Sequence, residues 1–357
     1  MSESKPGEAK RDQVLRLPEP RVVVVIPVFK HSGLLAEAVE SVLAQTANFE
    51  IAVVIVNDGC PFPETEEIGQ AYALANSNVF YLRKPNGGLS SARNFGIDFA
   101  ARTFPGYEAI YLLDADNRIT PSALQSLMDF LETRPDVAWV YPNIDKFGIA
   151  WSGNYTTEYS RLLHLTFDNI CEAGSLITRR VIDAGVRFDE TMKSGFEDWE
   201  FWLSALDKGF LGANYPYFGF EYRQRAESML RDSNRSRDSI LSYIHLKHKA
   251  LFTTDTLLGY EHEEAPRYTH VAIGTYLVEA FTDPEAPHDS HKLDEFVRRF
   301  WAARNEPDTY GTPPFLIWMA ASQMAALARL KLLHNVLWLA ERLTDSYNFV
   351  AIRLEAS

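Results

Sequence analysis

Asp114-Ala115-Asp116 follows a short apolar run at residues 110–113, so two carboxylates stand two residues apart where a strand gives way to a turn. A pair placed there can reach one hard cation together with a diphosphate that the cation bridges. Mg²⁺ and Mn²⁺ favour that arrangement of one or two carboxylates, substrate phosphates and water. Asp58 sits in Val56-Asn57-Asp58-Gly59 at the end of another apolar run. An ionised Asp only accepts hydrogen bonds. At a strand end it suits the N3–H of uracil or thymine, or the N1–H and amine of guanine. Asn-Asp-Gly is equally a turn-forming sequence. A third segment runs Lys84-Pro85-Asn86-Gly87-Gly88-Leu89-Ser90-Ser91-Ala92-Arg93-Asn94-Phe95-Gly96. It is a Gly-rich loop leading into a helix, with Lys84 ahead of it and Arg93 in the first turn. Free amides and the helix dipole make such an end an anion site. It is neither a Walker A loop nor a Gly-x-Gly-x-x-Gly dinucleotide fingerprint.

These residues need a scaffold that brings them together. Apolar runs at 22–26, 51–56, 79–82, 110–113 and 138–141 read as strands. Helical spacing fills the intervals at 34–43, 64–75, 90–101 and 121–131, the last opened by Thr120 as cap and Pro121 at the first position. Alternation of this kind predicts βαβ units and a sheet covered on both faces. Ligands in such sheets bind beyond the carboxyl ends of the strands. Those ends carry Pro27-Val28-Phe29, Asn57-Asp58-Gly59 and Asp114-Ala115-Asp116, which should therefore meet along one edge. Residues 148–230 are rich in Gly, aromatics and charge, as expected of a site-building extension. From residue 236 the pattern predicts helices at 240–252, 269–281, 294–303, 314–333 and 336–343.

In this order, Pro27-Val28-Phe29, Val56-Asn57-Asp58-Gly59, Asn86 to Gly96 and Asp114-Ala115-Asp116 resemble the family 2 glycosyltransferases of the GT-A fold. Gly195-Phe196-Glu197-Asp198-Trp199-Glu200-Phe201-Trp202 resembles the catalytic-base motif of that family, and Tyr222-Arg223 followed by Ser228-Met229 resembles its phosphate-side segment. The resemblance covers about residues 20–230. It implies an α/β chain with a mixed GT-A sheet, helices on both faces and an α-helical C-terminal extension.

The resemblance also implies roles. Pro27, Phe29 and Asp58 would hold the nucleoside, and Asp116 with Asp114 a divalent cation, Mn or Mg. Lys84 and Arg93 would line the donor pocket. Asp198 would be the general base with Glu197 beside it, and Arg223, Arg225 and Ser228 would contact the diphosphate. Many relatives carry a His between the Arg and Ser of that last segment, where this chain has Arg225; an Arg cannot ligate a metal. The chemistry is consistent: the leaving diphosphate needs positive charge, and the attacking hydroxyl needs a base. One base opposite the leaving group gives inversion. An acid next to Asp198 should raise one pKa of the pair.

The whole chain has 357 residues and a formal charge of −13, which excludes a dedicated nucleic-acid binder. Two cysteines, Cys60 and Cys171, exclude a disulfide scaffold and suit a reducing compartment. Residues 1–20 read as a flexible tail, 21–235 as the catalytic domain (21–120 the nucleotide half, 121–235 the acceptor half) and 236–357 as a helical region. The expected function is inverting transfer of a sugar, most simply from a UDP-sugar, to a hydroxyl on a glycan or lipid-linked acceptor. Two rivals stay open: a sugar-1-phosphate nucleotidyltransferase and a non-catalytic nucleotide- or sugar-binding protein. Against the first, the nucleotidyltransferases usually carry a basic Gly-rich loop after the first strand, where this chain has Pro27-Val28-Phe29-Lys30. The expected location is cytoplasmic. The apolar C-terminal stretch must be covered, by packing within the chain, by self-association or by the inner membrane surface.

Overall fold

The computed structural model describes residues 19–148, 152–154, 159–166, 169–225, 236–264, 268–273, 276–281, 337–339 and 352–354. Ser228 and the helices expected at 294–303 and 314–333 lie outside the described residues.

Strands β1 (Val22–Val28) and β2 (Ile51–Asn57) are buried at every position. Runs that apolar suit a sheet with both faces covered. They pair in parallel from Val22↔Ile51 to Val28↔Asn57. β3 (Val79–Arg83) adds outside β2, and β4 (Ala109–Leu112) adds on the other side of β1, both parallel. Helices α1 (Ser32–Leu43), α2 (Pro63–Ala75) and α3 (Leu89–Thr103) make the crossovers. The order β3-β2-β1-β4 reverses direction between β1 and β4. A crevice opens at such a reversal, and here its walls are the ends of β1 and β4.

Beyond β4 come β5 (Arg118–Ile119), α4 (Ala123–Thr133), β6 (Val137–Gly148) and β7 (Ser152–Asn154). Then follow α5 (Arg161–Thr166), β8 (Leu176–Thr178), α6 (Arg179–Asp183), α7 (Glu197–Asp207) and β9 (Leu211–Gln224). The sheet turns mixed here, in the order β4-β8-β6-β9-β5 with β7 beside β6. β8 is antiparallel to β4 and β6, whereas β6 and β9 run parallel. The strand expected at 138–141 thus continues to Gly148, and its pairing with β9 carries Arg223 to the crevice. α4 begins two residues later than the sequence predicts, with Ser122 at its N-cap. Thr120 instead donates its amide to Gly219, and the Pro121 carbonyl accepts from the Thr46 amide at 2.7 Å.

The pleat splits the core in two. Val22, Val24 and Ile26 pack with Leu35, Val39, Leu124 and Leu127 of α1 and α4. Val23 and Val25 pack with Ile97, Ala100, Phe201 and Trp202 of α3 and α7 on the opposite face. Gly96 lets α3 lie on the sheet, because a Cβ there would come within 2.4 Å of Val25. Cys60 and Cys171 are buried free thiols.

α8 (Arg237–Lys247) overlaps the helix expected at 240–252, whereas α9 (Thr254–Glu264) falls between the expected helices. Ile240, Ile244, Leu251 and Leu257 join Leu165, Trp199, Leu203 and Leu206 in a third apolar cluster over α5 and α7. The helix expected at 269–281 is instead a hairpin of β10 (Tyr268–Ile273) and β11 (Tyr276–Phe281). Thr269, Val271, Ile273, Tyr276, Val278 and Phe281 are β-branched or aromatic, and such side chains favour a pleated surface. The apolar spacing in this segment also fits a helix, and local propensity outweighs it. Likewise β12 (Leu337–Leu339), paired with β13 (Ile352–Leu354), stands within the helix expected at 336–343. Among the described residues, no helix is long and apolar enough to cross a membrane.

Candidate active site

A cleft of about 690 Å³ opens at the reversal point. The end of β1 supplies Pro27, Val28 and Phe29, with His31 just beyond; the end of β4 supplies Asp114, Asp116 and Asn117. The start of α3 supplies Ser90 and Arg93, the start of α7 Glu197 and Asp198, and the end of β9 Tyr222, Arg223 and Arg225. The sequence-predicted residues other than Lys84 and Ser228 therefore meet on one cleft, as the strand ends require.

Asp58 is buried, and its carboxylate is fully engaged within the chain. Oδ1 accepts from Lys84 Nζ at 2.7 Å and the Gly87 amide at 3.0 Å. Oδ2 accepts from Asn86 Nδ2 at 3.0 Å and the Gly88 amide at 2.8 Å. A carboxylate offers about four acceptor sites, so contact between Asp58 and a base would displace one of these donors. The amides that grip Asp58 belong to Gly87 and Gly88, in the loop just ahead of the first residue of α3. Gly88, at φ +90°, turns the chain into the helix. Lys84 is spent on Asp58 and does not line the cleft, contrary to the expectation that it would face the donor.

Arg93 is 1 % exposed and forks between two carboxylates. Nη1 donates to Glu197 Oε1 at 2.8 Å and Nη2 to Asp114 Oδ1 at 2.9 Å. Burial works against its charge, but Asp114 and Glu197 outweigh burial and raise its pKa. Arg93 lines the cleft as expected, as a tie between the β4 end and the α7 start rather than as an open cation.

Arg223 reaches back along the same edge. Its Nε donates to the Asp116 carbonyl at 2.9 Å, its amide to Asn117 Oδ1 at 2.9 Å, and its Nη2 to Glu37 Oε2 at 2.7 Å. Arg225 Nη2 lies 2.5 Å from Asp116 Oδ2, and the guanidinium sits 3.3 and 3.4 Å from the two nitrogens of His31. Burial and the charge of Asp114 raise the pKa of Asp116, against the pull of Arg225 and His31. Burial and Arg225 lower that of His31.

Arg93 takes one oxygen of Asp114 and Arg225 one oxygen of Asp116. Among the described residues no three His, Cys, Asp or Glu side chains cluster as a metal cage. Asp114 and Asp116 are the carboxylates that would meet a hard cation here, the remaining places going to substrate phosphates and water.

Phe196, just before α7, has φ +56°, an uncommon conformation for a bulky side chain. The strain is stored beside Glu197 and Asp198. Burial, Glu197 and Glu172 hold the Asp198 carboxyl well above the usual carboxylate range, while Arg93 and the Trp199 amide oppose them. The expectation that an adjacent acid raises one pKa fits this, with burial the larger cause. Sequence reasoning missed His31, Lys146, Asn169, Glu172, Lys193 and Arg237, which also line the cleft. Lys193 was within reach, two residues before the Gly195 motif, and its Nζ donates to the Gly87 carbonyl. The others belong to no pattern of spacing.

The mixed sheet and the cleft at its reversal point have the architecture of the GT-A fold. Residues 23–184 match the model described as Glycosyl transferase family 2. The minor teichoic acid biosynthesis protein GgaB of Bacillus subtilis (strain 168) is 34 % identical over 111 residues, 30 % of this chain and 12 % of GgaB. EpsJ of the same strain, an uncharacterized glycosyltransferase, is 33 % identical over 113 residues, 32 % of this chain and 31 % of EpsJ. The chain thus spans from about an eighth to a third of the length of these relatives. Chondroitin synthase of Pasteurella multocida (strain Pm70) is 29 % identical over 195 residues, 53 % of this chain and 19 % of that protein. Among solved structures, S. aureus TarS 1-349 in complex with UDP superposes with a TM-score of 0.51 at 16 % identity, covering 68 % of this chain and 72 % of TarS 1-349. The likeness to TarS is one of fold.

Proposed function

We propose that the chain transfers a sugar, with inversion, from a UDP-sugar to a hydroxyl acceptor such as a growing glycan or a cell-surface polysaccharide precursor. The observation that carries this reading is that Asp198 shares a cleft with Asp114 and Asp116, and that Arg93 ties Asp114 to Glu197, the neighbour of Asp198. A base thus faces the same space as a diphosphate subsite. The UDP choice is supported by TarS, a neighbour in fold that holds UDP, and less by Asp58, whose acceptor sites are already filled.

Pro27 and Phe29 pack on the nucleoside. Arg225 and Arg223 supply positive charge to the departing diphosphate. Asp116 and Asp114 would hold a divalent cation, which when bound supplies further charge to the diphosphate oxygens. Asp198 takes the proton of the attacking hydroxyl, and its raised pKa makes it a stronger base than a surface carboxylate. Glu197, tied to Arg93, fixes the start of α7. Residues 21–235 form the catalytic unit. Its position is cytoplasmic, at or near the inner membrane face, with C-terminal segments meeting a lipid-linked acceptor or a second copy.

The test is a thermal-shift series with UDP, GDP, dTDP and CDP in the presence of Mn²⁺. A ligand bound only by the folded state raises apparent stability by mass action. UDP should raise the melting temperature most. No shift with any of the four would contradict a nucleotide-diphosphate site.

A further inference from the structure

Asp198 is held from a direction the proposed reaction does not use. Asn169 Nδ2 donates to Asp198 Oδ2 at 2.8 Å, while the Trp199 amide donates to Oδ1 at 2.9 Å. Donors on both oxygens fix the rotation of the carboxylate. We propose that Asn169 is a positioning residue for Asp198, and that buried His164 locks the Asn169 amide in the orientation this requires. The proposal rests on Asp198 being the base.

A flipped Asn169 would set Oδ1 against the carboxylate, acceptor against acceptor. His164 prevents this. Its Nε2 lies 3.1 Å from Asn169 Oδ1, and its Nδ1 lies 2.9 Å from the Tyr159 hydroxyl. Either neutral tautomer could serve these two contacts, but the Cys171 amide, a donor facing Oδ1, and Asp198, an acceptor facing Nδ2, select the one with the proton on Nε2. Tyr159 donates to Nδ1, Nε2–H donates to Asn169 Oδ1, and Nδ2 is left for Asp198. The Cys171 amide also donates to Oδ1, at 3.4 Å. His164 is fully buried, and burial pushes its pKa down to about 3, so the ring stays neutral while Asp198 works. The ring stacks on Trp199, 6.3 Å between centroids and 9° apart in plane. Trp199 Nε1 donates to the His164 carbonyl at 2.8 Å. α5, the segment at Asn169 and the start of α7 are thereby clamped as one unit around the base.

A donor to the ionised carboxylate favours that form. Asn169 therefore acts with Arg93 and against the acids Glu197 and Glu172; the Cys171 thiol and Tyr222 phenol also face the charge of Asp198.

The experiment is a pH titration of the full chain labelled with ¹³Cγ-aspartate, the Asp198 signal being identified by its loss in Asp198→Asn. In Asn169→Ala the Asp198 midpoint should rise by about one pH unit. Asn169→Asp, nearly the same shape, guards against a packing defect and should raise it further by setting a second carboxylate beside the first. A midpoint unmoved in both variants overturns the proposal. UDP release from UDP-GlcNAc gives the second readout: Asn169→Ala should lower kcat about tenfold or more with KM nearly unchanged, and move the acid limb upward. Wild-type release by Asp198→Asn would remove the base reading itself. Loss of release in Asp198→Asn with an unmoved Asn169 midpoint would remove only the role of Asn169.

Discussion

Gly88 donates its amide to Asp58 Oδ2 at 2.8 Å across 30 residues of chain, so the start of α3 is tied to the end of β2 by an anion the protein carries itself. Lys84, Asn86 and Gly87 complete the ring of donors. Asp58 therefore shapes the nucleoside wall through the loop. Asp58→Ala should weaken UDP binding by about 1.5–3 kcal/mol, the scale of a lost charge-assisted hydrogen bond. Because the effect travels through the loop, CDP should lose about as much. Calorimetry with both nucleotides checks this: a loss confined to UDP would mean that Asp58 touches the base.

Arg93, itself buried, holds buried Glu197 and the partly exposed Asp114. Removing one partner of a buried ion pair typically costs about 3–5 kcal/mol, because the remaining charges are left uncompensated. Arg93→Ala should lose stability on that scale at neutral pH. Arg93→Lys should recover only part, since an ammonium lacks the fork that spans Glu197 and Asp114. Urea unfolding measures both. A loss under about 1 kcal/mol in Arg93→Ala would show that the tie carries little.

Much of this was legible in the sequence. The continuous runs in β1 and β2, alternating with helical patterns, suit a covered parallel sheet, and that topology brings Pro27, Asp58 and Asp114 to one edge. The side-chain pairings were not legible. Nothing in the spacing of Asp58 says that Lys84 and two glycine amides close over it, and nothing near Arg93 announces Glu197, 104 residues away. Asn169 and His164 stand on no motif. The hairpin at β10 and β11 is not legible because its apolar positions suit both a helix face and a strand pair.

Asp198 links catalysis to stability. Its folded-state pKa is raised, so the folded protein holds a proton that the unfolded chain gives up above ~3.9. Stability must therefore fall as pH rises through the interval between the two values. Asp198→Asn removes that cost. It should be more stable than the wild type at pH ~7 and nearly equal at pH ~3. Denaturation at the two pH values checks the sign; a variant less stable at neutral pH would mean that the ionised carboxylate stabilises the fold.

His164 works in the opposite direction. The unfolded ring takes a proton near 6.5, the folded one only near 3, so stability is lost as pH falls through that window. His164→Gln has no such proton to take up. Its stability deficit relative to the wild type at neutral pH should shrink as pH falls from ~7 to ~4. A deficit constant across this range would mean that His164 is accessible to protons in the folded state.

The most direct test compares UDP release from UDP-GlcNAc by the wild type and by Asp198→Asn, in Mn²⁺, with UDP affinity measured on the same samples. Asn keeps the shape of the side chain and cannot take a proton. The account predicts unchanged UDP affinity and a rate lower by ~10²–10⁴. Release by Asp198→Asn at the wild-type rate would contradict it.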